Sequence, residues 1–219
     1  MKNTFYKNIE FDLEYIFKIL KEIEFSLCSL HKIGSYFACR EDLSEEQKIS
    51  EYDKEFISFF NKSQIEERIK RCQEYLYLSI TDDNLKIKFK EEAFILSQKT
   101  NYWQNQGDYS NEYFGKRNWD EEEYEDEILN FNNSLLIYND LNYLVQSIVN
   151  IKNDYKDKYK LELIEFLHKS LLTDRLSTLR SIISEYIHLF FDSDYLEDYW
   201  ESVNIPYWSK CGDFSNQIF

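Results

Sequence analysis

Residues 9–30 read IEFDLEYIFKILKEIEFSLCSL and decide the fold class. Apolar residues recur in this stretch at alternating steps of four and three, which places them on one face of a helix. The members of this stripe are Ile9, Leu13, Ile16, Leu20, Ile23, Leu27 and Leu30. We therefore predict a long amphipathic helix over roughly residues 4–34, with Gly34 placed to end it.

Capping residues and helical periodicity continue along the chain. Ser44 with Gln47 forms a capping box that predicts a second helix from about residue 45, and Ser63 with Glu66 repeats the pattern for a third helix. Asp82 predicts the start of a fourth helix that runs to about residue 100. The residues predicted to face inward on these helices are Ile49, Tyr52, Phe56, Phe59, Ile65, Ile69, Cys72, Leu76, Ile80, Leu85, Phe89, Ala93 and Leu96.

The second half of the chain has the same character. We predict a fifth helix from residue 120, a sixth over about 154–170, a seventh capped by Thr173 with Asp174, and a short acidic helix near 194–202. Their predicted inward residues are Ile128, Phe131, Leu135, Tyr138, Leu141, Val145, Ile148, Leu176, Leu179, Ile183, Ile187 and Phe190. No repeat period stands out by eye. The prediction is an all-α fold, a helical bundle or a short stack of antiparallel helix pairs with about seven to eight helices.

Turn-forming residues are scarce, since the chain has one proline and four glycines. Sandwiches and barrels need turn signals every 8 to 12 residues or so, which argues against a β fold. A chain of 219 residues is also long enough to be stable without a disulfide or a metal. We predict a single domain over residues 1–219, with a subdivision at the aromatic-rich, aperiodic 101–118 loop as the alternative.

Charge limits the classes of partner. Acidic residues outnumber basic ones 41 to 26, and the net charge of −15 is concentrated in the second half of the chain. Such a surface repels phosphate, because affinity for nucleic acid comes largely from Lys and Arg. We therefore expect no direct binding of nucleic acid and a basic protein as the complementary partner.

Several features favour the reducing cytoplasm. Charged residues such as Lys7, Glu10 and Asp12 interrupt the N-terminal segment, which a secretory signal does not tolerate in its apolar stretch. No apolar run reaches the 18 or so residues that a membrane span requires. The four cysteines lack paired spacing, as is typical of reduced thiols. We expect a cytoplasmic protein without membrane contact.

Patterns that resemble metal sites fail on geometry. The segments 165–168 and 185–188 are Glu-x-x-His pairs, which di-iron bundles draw from two helices. If helices six and seven form a hairpin, the pairs are offset by roughly 14 Å, too far for a shared metal. Cys28 with His31 has a spacing that can chelate zinc, but no second close pair follows it. We predict no metal and no cofactor.

Catalytic arrangements cannot be assembled either. Helical ribonucleases pair an arginine with a histidine a few residues later, whereas Arg180 and His188 would lie about 12 Å apart along a helix. The chain has no glycine-rich phosphate loop, nucleophile elbow or Ser/His/Asp set. We predict that it is not an enzyme and has no catalytic residues.

Two acidic segments and one aromatic loop are the predicted partner-binding regions. Seven of the eight residues over 120–127 are acidic, more than stabilisation of a helix start by carboxylates requires. Residues 192–201 mix carboxylates with Tyr and Trp, a composition that suits a basic partner. The alternative interpretations are a solvated helix start for 120–127 and, for 192–201, rings that cap the end of the bundle. The 101–118 loop offers further rings. The predicted site residues are Asp120, Glu121, Glu122, Glu123, Glu125, Asp126, Tyr102, Trp103, Tyr109, Tyr113, Asp194, Glu197, Asp198, Trp200 and Glu201.

These features lead us to expect a specific protein inhibitor. In size and composition the chain resembles immunity proteins of polymorphic toxin systems, without matching a family motif, and that resemblance implies a bacterial protein that neutralises a basic toxin such as a nuclease. A phage-encoded inhibitor of bacterial defence would have the same composition. The alternative is a helical scaffold or regulatory adaptor that binds a peptide or helix in an apolar groove. The sequence leaves the partner and the oligomeric state open.

Overall fold

The computed structural model describes residues 10–103, 129–154, 159–203, 205 and 207–209, and for residues 154, 159, 196 and 200 only the backbone. These ranges contain eight helices and no strand, which confirms the all-α prediction. The helices are α1 (Leu13–Ala38), α2 (Glu45–Lys62), α3 (Ile65–Ser79), α4 (Asp83–Lys99), α5 (Phe131–Asp154), α6 (Tyr159–Lys169), α7 (Leu172–His188) and α8 (Ser193–Ser202).

The apolar stripe of α1 is confirmed, while both predicted ends of this helix are wrong. The helix begins after Asp12, whose carboxylate accepts a hydrogen bond from the Glu14 backbone N–H at 2.9 Å. It continues beyond Gly34 because its last turn still packs, with Tyr36 and Phe37 against the core. The stripe residues that are fully buried are Ile16, Leu20, Ile23, Leu27 and Leu30; Ile9 lies outside the described residues.

The predicted caps divide into two groups. Ser44 and Asp82 cap α2 and α4 as predicted. Ser63 does not cap α3, because its hydroxyl donates to the Phe59 carbonyl of the preceding helix at 2.6 Å. Thr173 with Asp174 does not cap α7 either, since that helix begins directly after residue 171 without a side-chain cap. Both failures occur where tertiary contacts fix the helix start.

Three further predictions need correction. The fifth helix does not run from residue 120, because Leu129 and Asn130 are not helical and the Asn130 carboxamide accepts from the Asn133 N–H at 2.9 Å. Ile49 is exposed, since only the C-terminal part of α2 is buried. Phe190 is exposed because it follows the end of α7, where helical periodicity no longer applies.

The joint between α2 and α3 is built around a buried arginine. Gln64 has a left-handed backbone with φ of 57° and directs the chain into α3. Arg68 then donates its Nε–H back to the Ser63 carbonyl at 2.8 Å and pairs with Glu22 of α1 at 2.5 Å. Its guanidinium lies 3.8 Å from the centre of the Phe25 ring. This arginine therefore ties the joint to α1.

The joint between α6 and α7 repeats this arrangement. Leu171 has a left-handed backbone with φ of 56°. Arg175 donates its Nε–H to the Ser170 carbonyl at 2.7 Å and pairs with Asp140 of α5 at 3.1 Å. The guanidinium lies 4.8 Å from the Tyr143 ring centre. The chain thus contains two halves of similar construction, α1–α4 and α5–α8.

The two halves interlock reciprocally. Helix α1 of the first half corresponds to α5 of the second, and α3 corresponds to α7. The contact of α1 with α7 is therefore equivalent to the contact of α5 with α3. Trp103 follows α4 and is buried in the second half, where its backbone N–H donates to Ser147 at 3.1 Å and its indole N–H to Glu162 at 3.0 Å. The buried apolar residues of both halves form one core cluster.

Trp208 makes the corresponding contact in the opposite direction, from the second half into the first. It follows α8 and reaches into the first half, where its backbone N–H donates to Ser29 at 3.1 Å and its indole N–H to Glu55 at 2.7 Å. Each half is therefore closed by a tryptophan of the other. This repeat was not predicted from the sequence, although Ser63 and Arg68 of one joint have the same spacing as Ser170 and Arg175 of the other.

Candidate functional site

Helix α8 presents a row of four carboxylates to solvent. The helix begins after Asp192, whose carboxylate accepts from the Tyr195 backbone N–H at 2.8 Å. Asp194 is followed by acids three and four positions later, and Glu201 lies four and three positions beyond these two, so the four acids lie toward one side of the helix. All four are exposed. We define the acidic α8 surface by Asp194, Glu197, Asp198 and Glu201.

Aromatic contacts hold α8 against α1 and leave these carboxylates outward. The Tyr199 ring centre lies 4.6 Å from that of Phe17, and the Lys21 ammonium lies 5.6 Å from the Tyr199 ring. Before the helix, Phe191 packs on Phe17 at 6.0 Å and stacks on Tyr195 at 4.3 Å. Among the described residues, the helix is therefore attached through its rings and not through its exposed acids.

The acidic α8 surface is not neutralised within the part of the chain that the structure describes. The ion pairs found there join other residues, for example Glu14 with Lys18, Glu66 with Lys70 and Glu24 with Arg180. None of them includes an α8 carboxylate. Like charges at helical spacing repel one another by a few tenths of a kcal/mol per pair. Within the described residues, these acids therefore do not stabilise the helix through ion pairing.

Exposed apolar groups adjoin this acidic row. Leu189, Phe190 and Tyr195 have 58%, 51% and 45% of their surface exposed. Protein interfaces combine large apolar side chains with charged groups, since the rings supply buried area and the charges supply orientation. Trp200 lies in the same helix, but its side chain is not among those described. The α8 region thus unites exposed rings and carboxylates.

The structure places Tyr102 and Trp103, the described aromatic residues of the loop, away from this surface. Trp103 is fully buried against the second half, so its interpretation as part of a contact surface is wrong. Tyr102 is half-buried, its hydroxyl accepts from the Asn142 amide at 2.6 Å, and burial raises its pKa. Tyr109, Tyr113 and the acidic run over 120–127 lie outside the described residues. Their role stays a prediction.

Glu165 and His168, two of the residues considered as metal ligands, have other partners. Glu165 pairs with Lys169 at 2.6 Å, and His168 lies 3.6 Å from Asp53 and stacks on Phe56. Over the described ranges, no group of three or more His, Cys, Asp and Glu side chains is arranged to hold a metal ion. The two Glu-x-x-His segments are therefore not brought together into one site.

The Cys28 thiol does not have the environment of a nucleophile. It donates a hydrogen bond to Glu24 at 3.3 Å. Burial, with the nearby Glu24 carboxylate, raises the thiol pKa to about 11. The thiolate form that attacks substrates is thus disfavoured at neutral pH. Arg180 is directed to the same Glu24 at 3.4 Å and not toward His188.

Comparison with known proteins gives no match, since no family model, no curated protein and no solved structure resembles the chain significantly. In the described part of the chain, no helix combines the length and the apolar character needed to cross a membrane. The function of the chain is therefore inferred from its surface.

Proposed function

We propose that the chain is an inhibitory binding protein whose acidic α8 surface binds a basic face of another protein. A bacterial immunity protein that neutralises a basic toxin, such as a nuclease, is the form of this proposal that we favour. The observation that carries it is the row of four exposed carboxylates without a described ion pair, next to exposed Leu189, Phe190 and Tyr195.

The two components of this surface have different physical roles. Complementary charges accelerate encounter and fix orientation, whereas burial of rings and aliphatic groups slows dissociation. A nuclease holds its phosphate substrate with Lys and Arg. A helix that places carboxylates over such residues would block substrate binding without chemistry of its own.

Gene position is the first test. An immunity protein is expected beside the gene of its toxin, so a gene for a large secreted toxin should lie immediately upstream. A chromosomal neighbourhood without any toxin gene would contradict the immunity role. It would leave open the more general proposal that α8 binds a basic protein.

The second test removes the α8 charge. The variant D194N/E197Q/D198N/E201Q should bind the basic product of the neighbouring toxin gene with an association rate at least about tenfold lower at low salt, because electrostatic steering is lost. Surface plasmon resonance at several ionic strengths measures this rate. The wild-type rate should fall steeply with salt, and the rate of the variant should barely change.

A matched control neutralises four exposed acids of the first half, Glu41, Glu46, Asp83 and Glu91. It removes the same formal charge from the molecule and should bind with nearly the wild-type rate. Equal losses in both variants would show that total charge, and not the α8 surface, drives association. Wild-type binding by the α8 variant would contradict the proposed site and move the search to residues 120–127.

A further inference from the structure

A second surface feature involves α4, the helix of the first half that corresponds to α8. It lies between α3, α4 and α5. Here the helices leave a cleft of about 360 Å³. Aromatic rings form much of its wall, namely Tyr77, Phe89, Phe94 and Tyr138. Among the described residues that line it, Lys90 is the cation. The volume falls within the range of clefts that bind ligands, roughly 300–1,000 Å³.

The floor of this cleft is fixed by ring packing. Phe89 is fully buried and makes edge-to-face contacts with Phe131 at 5.8 Å and with Tyr138 at 5.5 Å. Such contacts hold rings in one arrangement. An occupant would therefore meet a preformed apolar floor, which lowers the entropy lost on binding.

The outer side of α4 extends this apolar surface. Ile87, Phe94 and Ile95 are 61%, 65% and 51% exposed. Phe94 and Ile95 follow Ile87 by seven and eight positions, so the three residues lie on one side of the helix over two turns. Phe94 belongs both to this stripe and to the cleft wall. A groove beside an apolar ridge is the shape that accepts an amphipathic helix.

Charge indicates which kind of helix would fit. Lys86 and Lys90 are one turn apart on α4, and neither joins an ion pair in the described ranges, whereas Lys88 between them pairs with Glu92 at 3.3 Å. The chain has 41 acids for 26 bases, so lysines without a carboxylate partner are notable. The net charge of −15 opposes an acidic ligand at long range. Salt screens that repulsion beyond about 8 Å, so that the adjacent lysines dominate at contact.

We propose that this cleft, the α4 groove, docks an amphipathic helix of another protein whose apolar stripe is flanked by acidic residues. Large apolar side chains of that helix enter the groove beside Phe94, and its carboxylates face Lys86 and Lys90. The α4 groove thus favours an acidic ligand, whereas the acidic α8 surface favours a basic one. Docking in the groove does not require the function proposed for α8.

Synthetic peptides test the groove with the full-length chain. The probe is a fluorescein-labelled helix of about 18 residues, long enough to be partly helical in isolation, with Leu and Phe on one side and Glu on the flanks. A second peptide carries Lys in place of every Glu, and a third has the first composition in scrambled order. By fluorescence anisotropy, the glutamate peptide should bind at least about tenfold more tightly than either control.

Two variants of the chain locate the binding. S97F places a ring in the groove, and K90E reverses its charge; each should weaken binding of the glutamate peptide about fivefold or more. The matched controls S50F and K160E change exposed residues of α2 and α6 and should bind like the wild type. Circular dichroism checks that each variant remains folded, and K90E, at an exposed position, keeps the test valid if S97F does not fold.

Several results would overturn the proposal. They are equal binding of the glutamate and lysine peptides, no binding of any peptide, or wild-type affinity in a folded K90E variant. Self-association of the wild-type chain in analytical ultracentrifugation, abolished by K90E or S97F, would also overturn it, because the occupant would then be a second copy of the chain.

Discussion

The two halves of the molecule share their internal contacts and differ in their fourth helices. Both halves have a buried arginine at the joint between the second and third helices, and both are closed by a tryptophan of the other half. Helices α4 and α8 occupy equivalent places, since each follows an aspartate cap and precedes one of these tryptophans. The shared contacts are what the fold requires.

The fourth helices differ on the side that the fold does not use. Helix α4 has 17 residues with four lysines and three acids, whereas α8 has 10 residues with four acids and no base. Aspartate at the cap is common to both because it satisfies free backbone N–H groups. Asp194 still lies in the first turn of α8, where a carboxylate favours the helix start, whereas Glu197, Asp198 and Glu201 have no such role. We infer that the outer sides of α4 and α8 are free to serve different partners.

The largest effect is expected from the buried arginines. The ion pair of Arg68 with Glu22 is almost fully buried, so R68A leaves an uncompensated buried carboxylate and should lower the free energy of unfolding by about 3–5 kcal/mol. R175A should have a smaller effect, because the Asp140 side chain is 19% exposed and can be solvated. Urea denaturation followed by circular dichroism measures both.

A double variant tests whether the uncompensated buried charge causes the loss of stability in R68A. E22L/R68M removes both charges and should restore much of the stability that R68A loses, since a buried ion pair can be replaced by apolar residues of similar volume. A loss in R68A no greater than that in R175A would contradict the view that burial separates the two joints.

The next effect concerns the exchanged tryptophans. W103F deletes an indole N–H that donates to Glu162, a carboxylate that is 4% exposed, and should cost about 1.5–3 kcal/mol of unfolding free energy. W208F should cost less, since Glu55 is only partly buried and water can replace the indole. Thermal denaturation compares the two variants, and E162Q, which keeps an acceptor oxygen, serves as the control.

These tryptophans also show where sequence reasoning ends. Periodicity predicted the inward face of α1 because burial repeats with the helical turn, and local chemistry predicted the caps at Ser44 and Asp82. Trp103 gave no such signal, since a ring in an aperiodic segment suits a surface or a core equally. The left-handed residues Gln64 and Leu171 depend on arginines that bond distant helices, which no local pattern contains.

Of the candidate site, the sequence predicted the acidic residues of α8 and their helical spacing. It did not predict the exposure of Phe190, which depends on the end of α7. An apolar groove was predicted only as a general alternative without a location, because the wall of the α4 groove combines residues of α3, α4 and α5 that are distant in sequence. Comparing the two joints residue by residue would have revealed the repeat.

A smaller effect should appear at acidic pH. Burial raises the pKa of Glu66, but hydrogen bonds from Lys152 and Lys70 outweigh it and hold the pKa below its ordinary value of 4.5. A carboxylate with a depressed folded-state pKa stabilises the fold above its unfolded pKa, and this contribution is lost as pH falls through the folded pKa. The residue at the equivalent place in the second half is Thr173, so this stabilisation belongs to one half only.

Variant E66Q should therefore lose unfolding free energy at pH 7, and this loss should become smaller as the pH is lowered towards 3. Urea denaturation across this pH range measures the difference between variant and wild type. A difference that is the same at both pH values would show that Glu66 acts through packing and not through its charge.

The smallest expected effect distinguishes a binding surface from a structural one. If the α8 carboxylates served the fold, D194N/E197Q/D198N/E201Q would lose stability. Because they repel one another and have no described ion pair, we expect the unfolding free energy to stay constant or to rise by a few tenths of a kcal/mol. Denaturation at low salt, where the repulsion is largest, measures this change. A clear loss of stability would mean that the acids stabilise α8 in the fold, as Arg68 stabilises the start of α3. The difference between the two halves would then concern folding and not recognition.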